Sequence, residues 1–130
     1  MSEVTVTRVE KPWGYELHWA KSDRYVGKVL HIAAGHALSL QYHTVKDETV
    51  FVWSGRLRFE IEEQGRLVSH DLDPGASIRV VPGTVHRMTA LDDCDVFEVS
   101  TPELDDVVRL EDRYGRAPAT RDDDGGGAPR

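Results

Sequence analysis

The sequence predicts an all-β fold, and within that class a jelly-roll barrel. Glycine and proline turn signals recur at short intervals along the chain. The segments between them have the length of strands and alternate polar with apolar residues, and none has the 3.6-residue period of a convincing helix. Short strands separated by such turns are typical of double-sheet jelly rolls and closed barrels, which protect their own sheet edges.

Nine segments carry the β-branched and aromatic residues expected of strands. In chain order they are Tyr15–Trp19, Tyr25–Ile32, Leu38–His43, Thr49–Trp53, Leu57–Glu62, Leu67–Leu72, Ser77–Val81, His86–Ala90 and Val96–Ser100. We expect Thr49–Trp53 to be the antiparallel return strand of Leu38–His43, since only a short polar loop separates them. After Pro102, the segment Glu103–Arg109 predicts one helical turn.

A short strand at Val4–Thr7 is expected to be exchanged between two chains, because it is too short to be stable alone. This exchange predicts a homodimer.

Length and composition predict one domain over residues 1–116, followed by a disordered acidic and glycine-rich tail over 117–130. The 23 acidic residues outnumber the 16 basic ones and give a net charge of -7, which argues against nucleic acid as a partner. We find no apolar run of membrane-spanning length and no secretory signal, so we expect a cytoplasmic protein with no membrane partner. Cys94 is the only cysteine, which excludes an intrachain disulfide.

Four residues have the spacing of a metal site in the mouth of a small β-barrel: Gln41, His43, Glu48 and His86. Gln41 and His43 are two apart, so in a strand their side chains leave the same face, about 7 Å apart. Glu48 follows a short polar loop, and His86 follows a Pro-Gly turn on a later strand. Two imidazoles, a carboxylate and an amide oxygen suit one divalent ion, with Zn as the first candidate and Mn, Fe, Co or Ni as the others.

Three segments resemble a known family. Lys11-Pro12-Trp13-Gly14 is similar to its opening Arg-Pro-Trp-Gly, and Leu38–Gln41 followed by His43 matches its Leu-Ser-Leu-Gln-x-His. Val108–Arg116 matches its ending. The chain thus resembles the cupin superfamily and, within it, the isomerase domain of type II phosphomannose isomerases.

The resemblance implies a cupin double-stranded β-helix barrel with a metal held by Gln41, His43, Glu48 and His86. It also implies isomerisation of mannose 6-phosphate to fructose 6-phosphate through a cis-enediol, so that the partner is a small sugar or sugar phosphate. The chain departs from the family at Lys11 and Lys46, which stand where the family has arginine, and at Thr49, which stands where it has histidine.

Such a reaction needs a base. Glu98 is the first candidate, because we expect its strand to lie beside the strand of His86 in a simple meander. Lys11 and Lys46 are alternatives, as proton shuttles or phosphate contacts. The residues predicted to bind the anionic group are all cationic: Lys28, Lys46, Arg87 and Arg109.

Two other functions fit the same residues. A cupin oxygenase would use the open metal positions for dioxygen and an organic substrate. A non-catalytic module would bind a sugar or small ligand without turnover, with the metal structural or absent. The cationic residues near the mouth favour the isomerase, because a phosphorylated sugar needs them.

Overall fold

The computed structural model describes residues 1–118, and over this range the chain forms eleven β-strands and no helix. The strands are β1 (Thr7–Lys11), β2 (Gly14–Lys21), β3 (Val26–Ile32), β4 (Leu40–Tyr42), β5 (Glu48–Ser54), β6 (Leu57–Glu63), β7 (Arg66–Leu72), β8 (Ser77–Val80), β9 (His86–Ala90), β10 (Cys94–Ser100) and β11 (Val108–Glu111). All nine predicted strands are confirmed, each within two residues at either end.

The strands form two antiparallel sheets. The six-stranded sheet has the order β1-β2-β3-β10-β5-β8, and the five-stranded sheet has the order β11-β4-β9-β6-β7. Many neighbours in the sheets are distant in sequence, as when β10 lies between β3 and β5. The predicted jelly-roll barrel is confirmed, and its interior is the space between the two sheets.

The core lies between the sheets and is built by alternation along each strand. In β5, Val50 and Val52 point inward, and from the opposite sheet Leu57 and Phe59 of β6 meet them, all with at most 1% of their surface exposed. Burial of each such side chain contributes about 1.5–3 kcal/mol. The turn after β5 requires glycine, because Gly55 has a φ of 81° and a Cβ there would lie 2.1 Å from the carbonyl oxygen of Asp93.

Two local predictions near the chain ends are wrong. The first strand is Thr7–Lys11 rather than Val4–Thr7, and it pairs with β2 of the same chain. The predicted helical turn at Glu103–Arg109 is instead a loop followed by β11, because Arg109 pairs with Gln41 of β4. Pairing with an available sheet edge therefore outweighs the local helix signal after Pro102.

The expected pairing of Leu38–His43 with Thr49–Trp53 is also wrong. β4 belongs to the five-stranded sheet and β5 to the six-stranded sheet, so the loop at 44–47 crosses between the sheets. This crossing brings His43 and Glu48 to face each other across the interior, as a shared metal site requires.

No helix in residues 1–118 is long and apolar enough to span a membrane. The predicted tail over 117–130 lies outside the described residues, except for positions 117 and 118.

Candidate metal centre

Three of the four predicted metal ligands converge in the interior of the barrel. The Nε2 atom of His43 lies 3.5 Å from Oε1 of Glu48, and Nε2 of His86 lies 3.4 Å from Oε2 of the same carboxylate. All three side chains are buried, and their ligand atoms lie within 4.8 Å of one another. One ion placed among them could contact all three.

Hydrogen bonds from the Nδ1 atoms to main-chain carbonyl groups orient the two imidazole rings. Nδ1 of His43 donates to the carbonyl oxygen of Asp106 at 2.6 Å, and Nδ1 of His86 donates to that of Thr84 at 2.9 Å. Each ring then carries its proton on Nδ1 and turns the Nε2 lone pair toward Glu48, as metal-binding histidines do. Among the described residues neither Nε2 atom has a hydrogen-bond partner, which a divalent cation would supply. The residues therefore fit the metal that the sequence predicts.

Gln41 lies on β4, between β11 and β9, and lines the same cavity. It pairs with His86 across β4 and β9, and its Oε1 accepts a hydrogen bond of 2.6 Å from the hydroxyl of Ser39. An amide oxygen has two lone pairs, so Ser39 leaves one for an ion. This position suits the predicted role of Gln41 as the fourth ligand.

Lys46 links the predicted metal ligand Glu48 to the predicted base Glu98. Its Nζ lies 3.1 Å from Oε1 of Glu48 and 3.0 Å from Oε2 of Glu98, and all three side chains are buried. Burial lowers the pKa of Lys46, but the charges of Glu98 and Glu48 outweigh it, so the pKa is raised. Burial raises the pKa of Glu98, and Glu48 adds to the effect against the opposing charges of Lys46 and Lys28.

Glu98 reaches the cavity by a different route from the predicted one. β10 is not beside β9, since the two strands belong to different sheets. Glu98 is an inward residue at the centre of the six-stranded sheet, while His86 points inward from the five-stranded sheet. The reason given for Glu98 was wrong, but the residue does line the cavity.

Besides Lys46, four cations line the cavity, which has a volume of about 80 Å³: Lys11, Lys28, Arg109 and Arg116. Lys28 lies 3.4 Å from Glu16, and Arg116 pairs with Asp112 at 2.9 Å. Burial lowers the pKa of Lys11 against the attraction of Glu16, and the charges of Lys28, Arg116 and Arg109 lower it further. Lys11, Arg109 and Arg116 also line an adjoining cleft of about 490 Å³, so they lie between the two spaces.

One predicted anion-binding residue lies elsewhere, and one lining cation was not predicted. Arg87 alternates with the inward His86 and Met88, so it points out of the barrel, where it donates to Glu60 at 2.8 Å. The prediction that Arg87 binds phosphate is therefore not retained. Arg116 was missed, although it ends the Val108–Arg116 segment that carries the family resemblance.

The other histidines lie outside the metal group and have partners of their own. His18 contacts Glu16, His31 contacts Asp95, His36 contacts Tyr114 and His70 contacts Glu63.

Asp106 fixes the loop that carries Lys46. Its carboxylate accepts backbone N–H bonds from Thr44, Val45 and Lys46 at 2.9, 2.6 and 2.8 Å. These bonds, led by that of Val45, lower the pKa of Asp106 to about 2. The segment after β10 therefore positions both His43, through the Asp106 carbonyl, and the loop at 44–47.

We expect Asp106→Ala to lower the free energy of unfolding by about 1 kcal/mol, the usual cost of losing a side chain that caps backbone N–H groups. Urea denaturation of the two proteins measures the difference. Asp105→Ala is the matched control, since Asp105 is the exposed neighbouring aspartate. Equal effects of the two substitutions would contradict the anchoring role.

The family model described as Cupin domain matches residues 28–100. Mannose-1-phosphate guanylyltransferase ManC of Salmonella typhimurium is 34% identical to the chain over 113 residues, which are 83% of this chain. The chain spans only 23% of the length of that relative.

Solved structures share the fold at low sequence identity. KdgF from Halomonas sp. superposes with a TM-score of 0.65 at 19% identity, covering 78% of this chain and 91% of that one. Oxalate decarboxylase from Bacillus subtilis superposes with a TM-score of 0.69 at 18% identity, covering 81% of this chain and 30% of that one.

Proposed function

The chain belongs to the cupin family, and from this premise we propose that it is a metal-dependent isomerase that interconverts mannose 6-phosphate and fructose 6-phosphate. The observation that carries the proposal is one cavity that combines a candidate metal centre, a buried carboxylate and a set of cations. The similarity to a protein named for a mannose phosphate supports the same class of ligand here.

The metal centre and Glu98 divide the chemistry between them. A divalent cation held by Gln41, His43, Glu48 and His86 would polarise the substrate carbonyl and stabilise the negative charge that develops on its oxygen. Glu98 accepts the proton from C2 of the open-chain aldose and returns it to C1, while the hydroxyl proton moves from O2 to O1. The ketose formed has the same atoms as the aldose, so no further reactant is needed.

Lys46 is a positioning residue in this scheme. Its contacts with Glu98 and Glu48 hold the base at a fixed place relative to the metal ligands. A fixed base matters because proton transfer requires the carboxylate within hydrogen-bond reach of the reacting carbon. Because Lys46 is engaged in these two ion pairs, we assign phosphate binding to the other cations of the cavity.

The phosphate is assigned to the boundary between the cavity and the adjoining cleft. The inner cavity of about 80 Å³ is too small for a whole sugar phosphate, whereas the cleft offers about 490 Å³. Lys11, Arg109 and Arg116 line both spaces. A substrate with its carbonyl end inward would therefore bring its phosphate to these three residues.

The experiment that tests the proposal begins with elemental analysis of the freshly purified protein. The chelated protein is then reloaded separately with Zn, Mn, Fe, Co or Ni, and each form is assayed with mannose 6-phosphate for fructose 6-phosphate. We expect at least one metal form to turn over and the chelated form to be inactive. Absence of product from every loaded form would refute the isomerase, and oxygen consumption would support the oxygenase instead.

Arg109→Gln is expected to raise KM for mannose 6-phosphate by about 10- to 100-fold, the effect of losing one charged hydrogen bond to phosphate. The kcat should change less, because Arg109 is assigned to the end of the substrate that does not react. Steady-state kinetics measure both constants. Arg87→Gln is the control, since Arg87 faces away from the cavity, and an equal rise in KM there would contradict the assignment.

A further inference from the structure

Glu16 of β2 and Lys28 of β3 are buried ionisable residues that the proposed reaction does not use. Both line the same cavity as the candidate metal centre. Nζ of Lys28 lies 3.4 Å from Oε1 of Glu16, and Nε2 of His18 donates to the same oxygen at 2.8 Å. We call these three residues the Glu16 cluster. Taking charges out of water costs free energy, so charged groups buried at a cavity are candidates for a function.

One oxygen of Glu16 is left for a ligand. His18 and Lys28 both contact Oε1, and within residues 1–118 no side chain or backbone group donates a hydrogen bond to Oε2. Burial raises the pKa of Glu16, but the charge of Lys28, the hydrogen bond of His18 and the charge of Lys11 outweigh it, so the pKa is lowered. Glu16 is therefore an ionised carboxylate at neutral pH, with one oxygen able to accept a proton.

The Glu16 cluster lies between the predicted base and the cations assigned to the phosphate. Lys28 is in cross-strand register with Glu98 of the neighbouring strand β10, with the two backbones about 5 Å apart. On the other side, Glu16 is close enough to Lys11 for its charge to oppose the burial that lowers the pKa of Lys11. A sugar phosphate with its phosphate at Lys11 and its carbonyl end near Glu98 therefore passes the Glu16 cluster.

The proposed isomerisation requires a step that precedes it. Aldohexose 6-phosphates exist in water chiefly as closed rings, in which O5 is bonded to C1 and no carbonyl group is present. Opening the ring requires a base that removes the proton from the O1 hydroxyl and an acid that gives a proton to O5. The two oxygens are bonded to one carbon, so the base and the acid must lie side by side, as Glu16 and Lys28 do.

We infer that Glu16 and Lys28 open the ring of the substrate before it is isomerised, which gives the protein a second activity, the interconversion of the α and β anomers. The inference rests on the proposed function for the class of substrate. It assigns to Glu16 the role of base toward O1 and to Lys28 the role of acid toward O5. His18 is a positioning residue, because its hydrogen bond holds Oε1 and leaves Oε2 to the substrate.

The step balances within the pair. Oε2 of Glu16 takes the proton from O1, C1 and O1 form a double bond, the C1–O5 bond breaks with its electrons on O5, and Lys28 donates a proton to O5. The proton then passes from Glu16 to Lys28 across their contact of 3.4 Å, which restores the ion pair. Closure of the ring on the other face of C1 gives the other anomer, and no further reactant is consumed.

The test uses 2-deoxyglucose 6-phosphate, which has no hydroxyl group on C2. This compound cannot become a 2-ketose, but its ring still opens and closes between the two anomers. Magnetisation transfer between the anomeric protons in the NMR spectrum measures the exchange in the presence of the full, metal-loaded chain. We expect the wild type to accelerate the exchange by about 10-fold or more over the protein-free solution, and Glu16→Gln and Lys28→Gln each to remove most of that acceleration.

Glu10→Gln is the matched control, because Glu10 is an exposed glutamate of β1 that pairs with Arg8. It should keep the full acceleration. Circular dichroism checks the fold of each variant, and calorimetry with the same compound should show a Kd within about 3-fold of the wild type, since a lost base slows the step without weakening binding. An unaccelerated exchange with the wild type, or full acceleration by Glu16→Gln, would overturn the inference.

The ring-opening role and the isomerase fail separately in these measurements. Accelerated anomer exchange without fructose 6-phosphate from any metal form would refute the isomerase and leave the role of Glu16 and Lys28 intact. Formation of fructose 6-phosphate from mannose 6-phosphate without accelerated exchange of 2-deoxyglucose 6-phosphate would refute the ring-opening role and leave the isomerase intact.

Discussion

Replacement of Glu98 by glutamine is expected to lower kcat for mannose 6-phosphate by about 10²- to 10⁴-fold, the range that a positioned base contributes. The amide has nearly the shape of the carboxylate but cannot accept the C2 proton. Because burial raises the pKa of Glu98, the carboxylate is a stronger base than an exposed one, which makes its loss more costly. Steady-state kinetics with the metal-loaded variant measure the change.

The same variant separates a chemical role for Glu98 from a structural one. Metal content should be unchanged, because Glu98 is not among the proposed ligands. Exchange of the C2 hydrogen for solvent deuterium should fall in parallel with kcat, which a merely structural defect would not require. Glu60→Gln is the control, since Glu60 is also paired with a cation, Arg87, but lies outside the cavity. Full activity of Glu98→Gln would move the role of base to another residue such as Lys11.

The period of two along the chain was enough to predict the strands, since it depends only on which residues each strand buries. It did not predict the partners of each strand. The loop at 44–47 looks like a hairpin turn in the sequence, but it crosses from one sheet to the other. The crossing places Lys46 between Glu48 and Glu98, and Glu98 lies on a strand about fifty residues away, so the local sequence does not reveal this contact.

The grouping of His43, Glu48 and His86 could be predicted from residue type and spacing along the chain, whereas the cations could not be ranked by sequence alone. Arg87 and Arg109 have the same charge, and what distinguishes them is Glu60 on the neighbouring strand β6. The outward orientation of Arg87 could nevertheless have been predicted from the sequence. If His86 points inward, the adjacent residue of the strand points outward, which excludes Arg87 from the interior.

His86→Ala is expected to remove the stabilisation that metal gives to this protein. A metal at 100 times its Kd stabilises the folded chain by about 2.7 kcal/mol, which raises Tm by about 10 °C for a chain of this length. The variant keeps His43 and Glu48 but loses the imidazole contributed by the five-stranded sheet. Thermal denaturation with and without Zn, together with metal content after dialysis, measures the loss.

His70→Ala distinguishes loss of a ligand from loss of any histidine. His70 is bonded to Glu63 outside the interior, so this variant should keep the full rise in Tm with metal. In the metal-free state His86→Ala still leaves Nε2 of His43 facing Glu48, so the protein should fold while binding metal at least 100-fold more weakly. If His86→Ala bound metal as tightly as the wild type, His86 would not be a ligand. The proposed metal centre, with ligands from both sheets, would then be refuted, and so would the isomerase chemistry that depends on it.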